Sequence, residues 1–220
     1  MSPAATTTTE VYGLAVGLLE SNCYLVVDRP TRKAVIIDPG SDPDRICELC
    51  AAHRAELTWI LNTHGHGDHI GANGSIKARY GVPIAIHADD ADCLQDPLLN
   101  LSAYFEPVTS PPADRLLAPG ESIEWGGPPL KVLSTPGHSP GSVSFLGEGW
   151  VVCGDTLFRG SIGRTDFPRC DQLTLHKSIR EQLMTLPPET IVYPGHGPAT
   201  TIGYEMENNP FFAFGVRVRS

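Results

Sequence analysis

Short apolar runs recur along the chain, and Gly, Pro, Asn or Asp bounds most of them. Runs this short that are rich in Val and Ile predict β-strands, because a helix needs a longer periodic segment. The predicted strands cover residues 23–27, 34–37, 59–62, 84–86, 131–134, 142–146, 150–153 and 191–193.

Longer segments with helical spacing separate several of these strands. The predicted helices cover residues 43–55, 71–80, 89–94, 172–186 and 201–208. In the fourth helix, apolar residues follow helical periodicity from Leu173 to Leu186, and two prolines end it. Because strands come in consecutive pairs as well as alternating with helices, the pattern predicts mixed sheets covered by helices, which is an α+β fold.

The composition is that of a folded domain. The 220 residues are 41% hydrophobic and 19% charged, and no Pro/Ser/Gly linker divides them. We therefore expect a mobile tail over residues 1–9, which are low in complexity, and a single domain over residues 10–220. The net charge of −9 disfavours nucleic acid and anionic membrane surfaces as partners.

Two features bear on location. No apolar stretch reaches the roughly 18 residues that would span a bilayer. The first basic residue is Arg29, so the start of the chain lacks the charged segment of a signal peptide. We expect a cytoplasmic protein whose six cysteines are reduced.

The segment 63–70 reads T-H-G-H-G-D-H-I and directly follows a predicted strand. It places His64, His66, Asp68 and His69 within six residues. Imidazole and carboxylate are the ligands that zinc and similar metals prefer. The interleaved glycines allow tight turns that aim these side chains inwards, so four ligands at one strand end can serve two adjacent metals.

Three further predicted strands each end at one residue of a ligand type, beside glycine. His138 lies in S-T-P-G-H-S-P-G-S, Asp155 in V-V-C-G-D-T and His196 in I-V-Y-P-G-H-G. One such residue alone is more often structural. Four strand ends that all present ligand-type residues indicate a metal site.

The combination of H-x-H-x-D-H, a distant His, a G-D and a final G-H resembles the metallo-β-lactamase superfamily, over roughly residues 11–210. The resemblance implies an αββα sandwich with a two-metal site at one edge of its sheets. The implied ligands are His64, His66 and His138 for the first metal, Asp68, His69 and His196 for the second, and Asp155 as the bridge between them.

The resemblance also implies a mechanism. Two dications lower the pKa of the water between them, which gives a bridging hydroxide as the nucleophile. Asp68 is the implied catalytic residue, because it orients the second metal and relays a proton. Zinc is the expected metal, and iron or manganese accept the same ligands.

Two segments indicate which branch of this superfamily the sequence resembles. G-D-T-L-F-R-G-S-I-G-R-T-D-F-P at 154–168 and T-I-G-Y-E-M-E-N-N-P-F at 201–211 are similar to the short, single-domain branch of glyoxalase II-like hydrolases. That branch implies a small glutathione-linked thioester as the substrate, S-lactoylglutathione or a related acyl thioester. The chain after His196 is too short for the C-terminal helical region of full-length glyoxalase II, so a broader thioesterase stays open.

Other functions are compatible with the same residues. Persulfide dioxygenases are similar in G-R-T-D-F and would bind one iron through His64, His138 and Asp155. A lactonase would use the same hydroxide on a cyclic ester. A non-enzymatic module with a structural metal needs only four ligands, fewer than the seven present. Asp155 counts against a β-lactamase, since several of those enzymes have Cys there.

The substrate side gives weaker signals. Arg159 and Arg164 lie in the loop after the G-D and are candidates to bind an anionic substrate; alternatively, Arg164 pairs with Asp166. Asp38, in I-I-D-P-G, is expected either to accept a hydrogen bond from the ligand loop or to act as a turn residue. Three histidines without matching partners are expected not to be ligands: His53, His87 and His176.

Overall fold

The computed structural model describes residues 8–212, which contain two six-stranded sheets. The first sheet comes from the amino-terminal half of the chain and mixes antiparallel with parallel neighbours. Its strands, in spatial order, are β1 (Thr9–Val16), β2 (Ser21–Asp28), β3 (Lys33–Ile37), β4 (Glu56–Leu61), β5 (Ile84–His87) and β6 (Arg115–Leu117).

The second sheet comes from the carboxyl-terminal half of the chain. Its neighbouring strands are antiparallel, except that the strands at residues 150–154 and 191–194 run parallel to each other. A two-stranded hairpin interrupts the chain between those two strands. In chain order the elements are β7 (Ser122–Ile123), β8 (Leu130–Ser134), β9 (Val143–Gly147), β10 (Trp150–Gly154), the hairpin strands β11 (Leu157–Phe158) and β12 (Ser161–Ile162), β13 (Ile191–Pro194) and β14 (Thr200–Thr201).

Helices cover the outer faces of both sheets. Within the described residues the α-helices are α1 (Pro43–Ala52), α2 (Gly67–Ile70), α3 (Asn73–Tyr80), α4 (Gln172–Ser178) and α5 (Ile202–Asn208). Residues Ala88–Leu94 and Ser102–Tyr104 form 3₁₀ turns, and Ile179–Leu183 extends α4 as a π-helix.

Three apolar layers hold these elements together. Alternate residues of β2 face opposite ways: Leu25 packs with Ile46 of α1, whereas Val26 packs with Phe145 between the two sheets. On the far side of the second sheet, Val151 packs against the helices. Strands buried on both faces explain the continuous apolar runs, and the layer order confirms the αββα sandwich.

The structure confirms all eight predicted strands to within a few residues. It adds five strands of two or three residues, β6, β7, β11, β12 and β14. It also adds the eight-residue β1, which the sequence did not suggest because Gly13 interrupts its apolar run. The tail expected over residues 1–9 lies outside the described residues up to residue 7, and Thr9 begins β1.

The predicted helices need two corrections. Residues 89–94 form a 3₁₀ turn rather than an α-helix. In the predicted helix 172–186, Leu173 is exposed, and the buried face consists of Leu175, Ile179 and Leu183. Leu173 lies two residues from Leu175, about 200° around the helix at 3.6 residues per turn, so it faces away from the sheet. Within residues 8–212, no helix is long and apolar enough to cross a membrane.

Candidate metal centre

Four strand ends meet at one edge of the sandwich, as the sequence predicted. His64 follows β4 of the first sheet, and His138, Asp155 and His196 follow β8, β10 and β13 of the second. An isolated antiparallel bridge between Ser21 and His196 joins the two sheets at this edge. All seven predicted ligands therefore lie around one point where loops of both sheets converge.

His64, His66 and His138 form the first group, which we call the three-histidine cluster. Nδ1 of His66 lies 3.1 Å from Nε2 of His64 and 3.0 Å from Nε2 of His138, and all three rings are buried. Zinc–nitrogen bonds of 2.0–2.1 Å in a tetrahedral site put ligand atoms about 3.3 Å apart. The spacing of these nitrogens fits one such ion.

Asp68, His69 and His196 form the second group, the carboxylate cluster. Oδ2 of Asp68 lies 3.4 Å from Nε2 of His69 and 3.2 Å from Nε2 of His196. The hydroxyl of Ser21 donates a 2.7 Å hydrogen bond to the same oxygen. The three ligand-type side chains converge closely enough to hold an ion.

Asp155 lies between the two clusters. Its Oδ2 is 3.5 Å from His138 Nε2 and 3.6 Å from His196 Nε2, and its Oδ1 is 3.5 Å from His69 Nε2. Among the described residues, this Oδ1 and this Nε2 are two of the three buried side-chain polar atoms without a hydrogen-bond partner. A Cβ on Gly195 would overlap Oδ1. Two unpartnered polar atoms that face each other fit a site built to receive a cation.

Each ring that points Nε2 into the site has its Nδ1 within reach of an oxygen. Such contacts fix the ring orientation and, when the ring is neutral, favour the tautomer with the lone pair on Nε2, as acceptors behind metal ligands do. The pairs are His64 with Thr63 Oγ1 (3.0 Å), His69 with Asp38 Oδ2 (3.1 Å), His138 with the Arg164 carbonyl (2.8 Å) and His196 with the Leu19 carbonyl (3.0 Å).

Asp38 is buried beneath the ligand loop. It accepts hydrogen bonds from the Thr63 backbone N–H (2.7 Å) and the Thr63 hydroxyl (2.6 Å), in addition to its contact with His69. The Thr63 hydroxyl in turn accepts from His64. Of the two roles that the sequence left open for Asp38, the contacts are those of a residue that supports ligands of both clusters.

The surroundings give the histidines opposite charge states. Burial and the neighbouring rings hold the pKa of His64 well below its usual value and lower that of His66 to about 3. Burial also disfavours charge on His69, but Asp68 and Asp155 outweigh it and raise its pKa to about 10. Burial opposes ionisation of Asp68 as well, yet the facing His69 and His196 lower its pKa.

The glycines of the ligand loop act differently from the tight-turn role that the sequence suggested. Neither Gly65 nor Gly67 has a positive φ. A Cβ on Gly65 would lie 2.5 Å from Cβ of Cys93, and one on Gly67 would lie 2.7 Å from Cβ of Ser102. These glycines are needed because other segments press against the loop.

A cleft of about 1100 Å³ opens over the centre. The metal-type side chains of both clusters contribute to its lining, and its walls are largely apolar. Leu18 at the tip of the β1–β2 hairpin is fully exposed, and Tyr104 and Phe105 from the segment before β6 are 70% and 77% exposed. Two separate segments therefore give the cleft an apolar rim, and the metal-type side chains give it a polar floor.

The two arginines proposed for substrate binding lie in different places. Arg159 stacks over Tyr204 and is not among the residues that line the cleft. Arg164 lines the cleft, but its guanidinium forms two hydrogen bonds with Asp166, at 2.9 and 2.7 Å, and stacks on Phe167. These contacts support the alternative that Arg164 pairs with Asp166.

Sequence reasoning missed Ser21, Thr63 and Asp90. Thr63 could have been suspected because it directly precedes His64. Ser21 and Asp90 carry no local signal, since only the tertiary fold brings them to the ligand loops. The three histidines expected not to be ligands lie outside the groups of potential metal ligands found among residues 8–212: His53, His87 and His176.

The sequence resembles a known family over most of its length. A sequence model described as the metallo-β-lactamase superfamily matches residues 16–196. One curated relative is the hydroxyacylglutathione hydrolase GloC of Haemophilus influenzae. It is 37% identical over 206 residues, which cover 90% of this chain and 95% of the relative.

Solved structures agree with the fold. The B3 metallo-β-lactamase BLEG-1 matches with a TM-score of 0.89 and 39% identity, over 92% of this chain and 99% of that chain. TTHA1623, solved in a di-iron-bound form, matches with a TM-score of 0.81 and 37% identity, over 91% of this chain and 100% of that chain. Both matches extend through both sheets rather than one half.

Proposed function

The chain belongs to the metallo-β-lactamase superfamily of metal-dependent hydrolases, and we propose that it hydrolyses acyl thioesters, S-lactoylglutathione or a close relative, with two divalent cations. The position of Asp155 carries the proposal. Its carboxylate faces His138 of one cluster and His69 and His196 of the other at 3.5–3.6 Å. A carboxylate shared by two ligand groups is what a two-metal site requires.

In this proposal the three-histidine cluster would hold one cation and the carboxylate cluster the second, with Asp155 within reach of both clusters. When bound, the cations supply a hydroxide nucleophile near neutral pH and polarise the substrate carbonyl. Asp68 orients the second cation, and Ser21 holds the Asp68 carboxylate in place by its 2.7 Å hydrogen bond. Because a thiolate leaves without being protonated, the reaction needs no separate general acid.

Zinc is the proposed metal, since imidazole and carboxylate together suit it well. Iron and manganese accept the same donors, and the relative TTHA1623 was solved with two irons. Metal analysis of protein purified without added metal distinguishes the three.

The cleft bears on the substrate. The relative GloC, a hydroxyacylglutathione hydrolase, supports a hydroxyacyl thioester of glutathione. Among the described residues that line the cleft, Arg164 is the one Arg or Lys, and it is paired with Asp166. The apolar rim of Leu18, Tyr104 and Phe105 therefore supports a broader range of acyl thioesters, with glutathione as one accepted thiol.

The single-iron dioxygenase remains the second candidate, because His64, His138 and Asp155 are also close together. His66 weighs against it. Its Nδ1 lies 3.0–3.1 Å from the other two ring nitrogens of the cluster, so a site made without His66 would leave a buried lone pair directed at the ion.

The test is turnover by protein of measured metal content. The substrates are S-lactoylglutathione, an acyl thioester of an uncharged thiol, a lactone and a β-lactam; oxygen uptake with glutathione persulfide is measured in parallel. We expect thioester hydrolysis by protein with about two metals per chain. Turnover of the lactone or β-lactam alone, or oxygen uptake by protein with one iron, would contradict the proposal and identify the alternative.

A further inference from the structure

Asp90 is a fully buried carboxylate outside the predicted ligand set. It lies in the 3₁₀ turn Ala88–Leu94, directly after β5. Its Oδ2 accepts hydrogen bonds from the Gly65 backbone N–H at 2.9 Å and the Ser139 hydroxyl at 2.6 Å. Its Oδ1 accepts from the Gly141 backbone N–H at 2.8 Å.

These partners belong to two different ligand loops. Gly65 separates His64 from His66 in the loop that follows β4 of the first sheet. Ser139 directly follows His138 in the loop after β8 of the second sheet. Asp90 is thus a single side chain that connects the two loops whose rings form the three-histidine cluster.

The packing leaves little freedom at this junction. A Cβ on Gly141 would lie 2.7 Å from Cγ of Asp90, and one on Gly65 would lie 3.0 Å from the Asp90 carbonyl. A buried carboxylate is costly unless its oxygens are well hydrogen-bonded, and here each oxygen is. Since both loops depend on its oxygens, loss of one acceptor would release one loop from the other.

We propose that Asp90 is a positioning residue for the three-histidine cluster. By joining the two loops, it keeps Nδ1 of His66 and Nε2 of His138 at 3.0 Å before a cation arrives, and so raises the affinity of that cluster. The inference rests on the proposed function only in taking this cluster as a cation site.

The decisive variant is Asp90→Asn, which keeps the shape of the side chain but turns one acceptor into a donor. Whichever way the amide lies, its NH₂ faces the N–H of Gly65 or of Gly141. Metal-free protein is titrated with Zn²⁺ in competition with a chromophoric chelator, and with Co²⁺ while its visible absorption is recorded. We expect one of two bound ions to be held about 10- to 100-fold more weakly, the loss typical of partners behind ligands, with a changed Co²⁺ spectrum.

Glu205→Gln is the matched control. Glu205 is an equally buried carboxylate that accepts three hydrogen bonds, from Gly160, Thr200 and Asn209, at 2.6–2.9 Å. None of these partners is a proposed ligand or adjacent to one. We expect Glu205→Gln to lower the thermal unfolding midpoint of the metal-free protein about as much as Asp90→Asn does, while Zn²⁺ affinity and the Co²⁺ spectrum stay as in the wild type.

Two results would overturn the inference: unchanged affinity and spectrum in Asp90→Asn, or an equal loss of affinity in Glu205→Gln. Wild-type protein that binds no Zn²⁺ would contradict the proposed function itself and the inference with it. If Asp90→Asn does not fold, the variant Ser139→Ala tests the inference instead. It removes one hydrogen bond to Asp90, and we expect a several-fold loss of affinity for one ion; unchanged affinity would overturn the inference.

Discussion

The three-histidine cluster and the carboxylate cluster lie side by side and share Asp155, yet their electrostatics are opposite. In the first, burial among other rings keeps the pKa of His66 at about 3. In the second, two carboxylates raise the pKa of His69 to about 10 despite complete burial. The same side chain is thus held neutral in one cluster and charged in the other by the groups that face it.

The difference determines what each cluster offers a metal. The three-histidine cluster presents lone pairs without a proton to remove. In the carboxylate cluster, the raised pKa of His69 means that a cation binding there would have to displace a proton, since ligands bind metals in their deprotonated form. The contribution of each cluster can be tested with variants. Some act on both clusters, some on one cluster and some on neither.

Asp155→Ala should have the largest effect, because it removes the side chain that contacts both clusters. We expect thioester hydrolysis to fall by more than about 100-fold, since even residues behind ligands cost 10- to 100-fold. Metal content and turnover, measured on the same preparation, check this. Full activity with an unchanged metal content would exclude Asp155 as the shared ligand.

Gly195→Ala should disturb the carboxylate cluster while leaving the fold intact. The new Cβ would overlap Asp155 Oδ1 and lie 2.9 Å from Cε1 of His69. We expect a loss of about 100-fold in kcat/KM, the size of effect that a displacement of about 1 Å produces. Gly74→Ala is the control: it lies within α3, where a Cβ would approach nothing closer than 3.4 Å, and it should be stable and fully active.

Asp38→Asn should weaken metal binding at the carboxylate cluster more than at the three-histidine cluster. Asp38 contacts His69 of the carboxylate cluster directly and His64 only through Thr63. We expect one ion to be held on the order of 10-fold more weakly, at the low end of the range for partners behind ligands. Competition titration measures both affinities. A larger loss of affinity at the three-histidine cluster would show that Asp38 supports that cluster more than the carboxylate cluster.

Arg164→Ala should change least. The guanidinium is paired with Asp166 and exposed, and exposed ion pairs contribute little to stability. We expect an unchanged unfolding midpoint and a KM for S-lactoylglutathione within about threefold of the wild type. A KM raised well beyond that, with kcat preserved, would show that Arg164 contacts the substrate.

Much of this arrangement could be predicted from the sequence, because two strong local signals coincide. The apolar runs mark strands, and residues such as His138 and His196 come beside glycine just after those strands. Since strand ends gather at sheet edges, the ligand-type residues could be picked out without the structure. Their division between two metals came from the resemblance to the metallo-β-lactamase superfamily. The strand β1 was missed because Gly13 interrupts its apolar run and it follows the Thr-rich start of the chain.

The remaining features depend on tertiary contacts. Asp90 lies in A-D-D-A-D-C-L, where nothing in the local sequence distinguishes it from its exposed neighbour Asp89. The crowding at Gly65 arises from Cys93, 28 positions later in the chain. Periodicity and composition contain none of this information.

The contact between the Leu19 carbonyl and Nδ1 of His196 bears on which residues can be substituted to alter the substrate range. The hairpin that places Leu18 at the cleft also orients the proposed ligand His196, so we expect substitutions there to change substrate range and metal affinity together. Tyr104 and Phe105 also line the cleft, and their backbone N–H groups bond within their own segment. A library intended to alter substrate range should therefore vary Tyr104 and Phe105 first and keep the hairpin constant.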